Sequence, residues 1–180
     1  MSAITAAEVL WKYSVAAAAG NTTAGTAATS LGDQISTTQW AGSVANDLFD
    51  DVSGAENAAS TVDYRCIFIH NSNSANILEN AVAYLSAEVG GGAAIAIGVD
   101  PTAASAIASG SAQAVAVANE TTAPAGVTFS SPTTVGAGLA LGNIPAGQCK
   151  ALWIRRTAAN TVALSNDGVT IAVTGDTGSL

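Results

Sequence analysis

Charge is what this sequence has least of. Only 10% of its 180 residues are Asp, Glu, Lys or Arg, against about 25% in ordinary globular proteins. Five are basic, and the net charge is −8. So few cations cannot replace the counterions of a phosphate backbone, which disfavours nucleic acid as a partner. An anionic membrane surface is disfavoured for the same reason. There is one histidine, one methionine, and a pair of cysteines far apart in the chain. No apolar run reaches the ~20 residues of a membrane-crossing helix. Residues 1–15 lack a basic stretch and a long apolar core, so they do not read as a signal peptide. Synthesis in the cytosol is the default expectation.

What is abundant is small. Nearly half the residues count as hydrophobic, but 40 of these are alanine, which buries little area per residue. The large anchors are Trp11, Tyr13, Trp40, Phe49, Tyr64, Phe68, Tyr84, Phe129 and Trp153. With so little charge, the surface must be built from Ser, Thr, Asn, Gly and Ala. Such a surface suits lateral packing, because few ionic groups have to be desolvated.

Period-two alternation marks the strands. Val9, Trp11, Tyr13 and Val15 share one face of the first. Residues 16–30 read as a loop or an extended arm, because Gly20, Gly25 and the threonines interrupt any helix. Residues 31–38 suggest a turn and a short strand, and 43–49 a short helix or irregular turn. Residues 50–56 read as a loop of turn formers. The clearest strand is 63–71, with Tyr64, Cys66 and Phe68 on one face and Arg65, Ile67 and Ile69 on the other. Both faces are largely apolar, so it is expected to be central. A turn at 71–76 leads to a partner strand over 77–87, and Gly90-Gly91-Gly92 reads as a hairpin connection. A strand follows at 93–99.

Residues 103–118 suggest a helix over 102–108 and a strand over 112–117. Short strands are expected near 127–129 and 138–141. In the strand 149–157, Cys149, Ala151, Trp153 and Arg155 oppose Lys150, Leu152, Ile154 and Arg156. Asn166-Asp167-Gly168 turns into a closing strand over 169–173. Short strands separated by turns, without a fixed-period repeat, predict a mainly β chain. The expected fold is an antiparallel β-sandwich or jelly-roll-like barrel with long Ala/Gly/Ser/Thr-rich loops. Residues 1–180 form one domain, of which 1–45 can be read as an extended N-terminal arm.

Each group capable of chemistry has a structural reading that outweighs the functional one. His70 sits at a strand end, and no G-x-S-x-G elbow surrounds any serine. A Cys149–His70 pair is conceivable, but Cys149 lies within an apolar strand. In a reducing compartment Cys66 and Cys149 are expected as buried thiols, with a disulfide the alternative. Asp47, Asp50, Asp51 and Glu56 are the best metal candidates, yet their spacing departs from a calcium loop. Gly90-Gly91-Gly92 lacks the Lys-Ser/Thr of a phosphate loop. Arg155 and Arg156 point to opposite faces, with pairing inside the fold favoured over a partner. Asn119-Glu120-Thr121 fits N-x-[ST], without glycosylation meaning in a cytosolic chain. No catalytic, cofactor or metal residue is assigned, and an enzyme is the least favoured class.

Two stretches carry a resemblance. They are Leu48-Phe49-Asp50-Asp51-Val52-Ser53-Gly54-Ala55-Glu56 with Asp63-Tyr64-Arg65-Cys66-Ile67-Phe68-Ile69-His70-Asn71, and Ile144-Pro145-Ala146-Gly147-Gln148-Cys149-Lys150-Ala151-Leu152-Trp153-Ile154-Arg155-Arg156-Thr157 with Asn166-Asp167-Gly168-Val169-Thr170. Together they resemble small virion structural proteins of tailed bacteriophages. The resemblance implies a β-sandwich subunit of a particle, made in the host cytoplasm and located in the virion. Its partners would be the major capsid protein, other virion proteins and copies of itself. A capsid decoration (cement) protein is the leading expectation. A tail, neck or fibre subunit is the second, and a carbohydrate- or calcium-binding β-sandwich module the third.

Overall fold

The computed structural model describes residues 3–42, 44–159 and 167–179. Two antiparallel sheets pack face to face as a β-sandwich, and neither closes into a barrel. The larger sheet runs in the order β2 (Gln34–Gln39), β1 (Val9–Val15), β3 (Val62–Asn71), β8 (Gln148–Thr157) and β5 (Ala94–Val99). A two-residue strand, β6 (Ser105–Ala106), also pairs with β8. The smaller sheet is β7 (Leu139–Ile144), β4 (Asn76–Glu88) and β9 (Val169–Ser179).

The alternation in β3 and β8 is realised as expected, and it builds two cores. Ile67, Ile69, Leu152 and Ile154 face the smaller sheet and meet Leu78, Leu85, Leu141 and Ile144. Cys66, Phe68, Cys149, Ala151 and Trp153 face the opposite way, with Ile35 and Ala114. That second face is not solvated. A layer of irregular backbone covers it, which explains why β3 and β8 are apolar on both sides.

The covering layer comes from two stretches with little regular structure, 16–33 and 107–130. Within the stretch read as an arm, β1 and β2 are strands of the larger sheet, and the loop between them folds back over it. The helix expected over 102–108 and the strand over 112–117 are absent; only β6 is regular there. Their backbone groups bond across the layer instead. Gln113 and Ala114 donate to Asp33 O, and Val117 donates to Leu31 O. A helix of so few residues over 102–108 is marginal on its own, and there Ser105 and Ala106 pair with β8 while Ile107 N donates to Gly147 O. Gly98 lets the layer come close, since a Cβ there would meet Val127 at 2.5 Å.

Other expectations are corrected. β4 is not the partner of β3 but crosses to the other sheet. The corner is fixed by Asn71, whose Nδ2 donates to Asn76 O and Ile144 O, both at 2.9 Å. Asn73 Oδ1 accepts from the backbone of Ala75 and Asn76 in the same corner. Gly90-Gly91-Gly92 is likewise a crossover between sheets, not a hairpin, because β4 and β5 do not pair. The strand expected at 127–129 reduces to one bridge between Ile97 and Ser130. In the loop of turn formers, Ser53 caps a short helix, α1 (Gly54–Ala59): its Oγ accepts from Glu56 N, and Glu56 Oε2 accepts from Ser53 N. Residues 44–49 are turns and bends. Ser43 and Asn166, on which two expectations rested, lie outside the described residues.

Candidate functional site

The five basic residues all have partners inside the fold. Arg156, on β8, reaches across to Asp63, its register partner on β3, with Nη2 2.7 Å from Asp63 Oδ2. The same nitrogen lies 3.0 Å from Asp50 Oδ1, and Nη1 donates to Asp50 O. The guanidinium stacks over the Phe49 ring at 5.0 Å. Burial alone would depress its pKa, but hydrogen bonds and charge from Asp63 and Asp50 outweigh that and hold it above the ordinary value. Arg65 pairs with Glu120. Lys12 Nζ donates to Asn21 Oδ1 at 2.8 Å. Lys150 Nζ donates to Asp100 O and Thr102 O. Arg155 lies over the Phe129 ring at 5.3 Å. Four of the five are buried, and Arg155 is half-buried. Among the described residues no basic side chain is fully exposed, while Asp51, Glu88, Asp167 and Asp176 are exposed.

These ionic groups act as fasteners. Arg65–Glu120 ties the covering layer to β3, and Arg156–Asp50 ties the 40–53 segment to β8. Asp100, fully buried, does the same at the end of β5. Its Oδ2 accepts from Trp153 Nε1 at 2.8 Å and Val115 N at 2.9 Å, and its Oδ1 accepts from Thr102 N. Gln113 is a second buried hub. It accepts from Ile35 N and donates to Ala106 O, Ser105 Oγ and Cys149 Sγ. Neither Asp100 nor Gln113 stands out in the sequence. Their roles depend on a loop layer that has no periodic signal.

The residues singled out for chemistry fall as follows. The register places His70 directly opposite Cys149. Burial and the nearby Lys12 charge push the His70 pKa down to about 4, so the ring is neutral at pH 7. Among the described residues its Nδ1 has no hydrogen-bond partner, so no carboxylate orients it as a triad would require. Burial pushes the Cys149 thiol up to about 12 and Cys66 well above its usual range. A reactive thiolate needs the opposite shift. Both cysteines are unpaired thiols in the outer core.

The acidic candidates do not converge. Asp47 accepts from Trp40 Nε1 at 2.7 Å and Gly42 N at 2.9 Å. Asp50 turns to Arg156, and Glu56 closes the helix cap. Asp51 points to solvent. Among the described residues no three His, Cys, Asp or Glu side chains are grouped as metal ligands. Asn119 Oδ1 accepts from Thr121 and Thr122, forming a local turn.

A concavity of about 890 Å³ opens at the end of the sandwich near residues 40–54. Trp40, Leu48, Phe49, Ile95 and Ile171 supply apolar lining, and Asp47, Asp50, Asp51 and Asp167 an acidic one. Val44, 66% exposed, stands at its margin. Trp40 is held edge-on to Trp11, with ring centroids 6.0 Å apart.

No family model, curated protein or solved structure matches the chain.

Proposed function

We propose that this chain is a structural subunit of a bacteriophage particle, a capsid decoration (cement) protein that binds and stabilises the head shell. Its partners on this reading are the major capsid protein and copies of itself. One observation carries the reading: four of the five basic side chains are buried in bonds within the fold, and the fifth, Arg155, lies half-buried over the Phe129 ring, which leaves a surface of small neutral and acidic side chains. Packing such a surface against a neighbour desolvates few charges. Many weak contacts repeated over a shell sum to tight retention. The resemblance of the 48–56, 63–71, 144–157 and 166–170 stretches to phage virion proteins points the same way.

The test is the copy number and position of the chain in purified particles, by quantitative mass spectrometry and electron cryomicroscopy. Many copies arrayed over the head are expected. A few copies in a three- or six-fold ring would move the protein to the tail, neck or fibre. Absence from particles would remove the particle reading altogether.

A further inference from the structure

β9 is a long strand whose outer edge is unpaired among the described residues, where its backbone pairs with β4 alone. The other edges are covered or short. Ile97 of β5 exchanges two backbone hydrogen bonds with Ser130. On β2, Ile35 O accepts from Asn21 N, and Thr37 N donates to Thr23 O. β7 spans six residues to the eleven of β9. An unpaired edge usually carries lysine or proline to block pairing, and β9 has neither. Its first half, 169–174, reads Val-Thr-Ile-Ala-Val-Thr, five β-branched residues in six, a composition suited to strand pairing.

The same half of β9 borders the groove, through Val169 and Ile171. The second half is partly engaged, since Ile4 N donates to Thr177 Oγ1 at 3.0 Å. The unpaired edge along 169–174 is therefore about 20 Å long at the ordinary strand rise. Four carboxylates line the groove, Asp47, Asp50, Asp51 and Asp167, against the single guanidinium of Arg156. That guanidinium is already engaged by Asp63 and Asp50.

We propose that this groove receives an extended basic segment of a partner protein, which adds to β9 as a further strand. Backbone pairing to 169–174 would supply affinity, apolar side chains would enter between the sheets, and Lys or Arg would meet the acidic lining. A second copy of this chain is a poor occupant. Its five cations are all buried or half-buried, so it has no basic segment to offer. The inference goes beyond the particle reading and does not require it.

The test uses the intact protein and a short synthetic peptide alternating Lys and Val. Titration would be followed by tryptophan fluorescence and amide hydrogen exchange. The expected result is binding that weakens as salt rises, with exchange slowed at residues 169–174. In Asp51→Asn, an exposed position without a structural role, binding should weaken by about two- to fivefold. A peptide with Glu in place of Lys should not bind. N-methylation of alternate peptide residues, which removes backbone donors, should abolish binding. The proposal is overturned if the Lys–Val peptide does not bind, if the Glu or N-methylated peptide binds as well, or if protection falls away from β9. It is also overturned if the protein sediments as a dimer with β9 already protected. Each result is read on the isolated protein, so failure here leaves the particle test unaffected.

Discussion

Arg156 and Asp63 are register partners on adjacent central strands, and their side chains meet at 2.7 Å while both are almost fully buried. Breaking such a pair from one side strands a buried charge, typically at about 3–5 kcal/mol. Arg156→Met should therefore lower the urea midpoint strongly. Replacing both, as Arg156→Met with Asp63→Leu, should cost less than the sum of the single changes. Equilibrium unfolding of the four proteins in the cycle checks this. Additive losses would mean that the pair is not coupled.

His70 sets a pH dependence. Its pKa is about 4 when folded and 6.5 when free. Between those values the unfolded chain binds more protons, so stability is complete above about pH 6.5. It falls as the pH drops toward 4 and levels off below that. The loss is on the order of 3 kcal/mol. Denaturant unfolding across pH 4–7 should show the slope, and His70→Phe should flatten it. Direct titration of the ring by NMR should give a midpoint near 4; a midpoint near 6.5 would contradict the buried, neutral imidazole.

The thiols should be silent until the fold opens. Cys149 is pushed up to about 12 and Cys66 also upward, both chiefly by burial. At pH 8 neither presents a thiolate to an alkylating or disulfide reagent. Iodoacetamide labelling followed by mass spectrometry should find both unmodified in the native protein and both modified in denaturant. Rapid labelling of either in the native state would show that the covering layer opens readily.

Gly32 tests how the covering layer is seated. Its φ is +93°, and a Cβ there would collide with Val115 O. Backbone on both sides is committed, because Leu31 O accepts from Val117 N and Asp33 O from Gln113 N. Gly32→Ala should destabilise by more than about 2 kcal/mol. Gly110, with open space around its Cβ position, should tolerate alanine within about 0.5 kcal/mol. Thermal unfolding of the two variants separates the cases. Equal behaviour would mean that residues 31–33 can shift without disturbing the sheet.

Much of the sheet was legible in the chain itself. Alternation in 63–71 and 149–157 assigned each side chain to its face, because a strand has a strict period of two. Apolar residues on both faces of 63–71 correctly implied that this strand is central. The scarcity of charge is also read straight from composition. The capping box Ser53-x-x-Glu56 was legible too, but it stands in a run of turn formers that also reads as loop.

Only the tertiary structure decided the rest. Which strand pairs with which, and that β4 leaves β3 for the other sheet, depends on contacts far apart in sequence and on Asn71 fixing the corner. The loop layer has no period, so nothing local announces that Asp100, Gln113 and Glu120 hold it to the sheet. Five cations in a sequence do not say whether they face solvent or carboxylates. The unpaired edge of β9 and the acidic groove beside it exist only once both sheets are in place. Local periodicity encodes which way a side chain points; what it meets there is set by the packing of the whole chain.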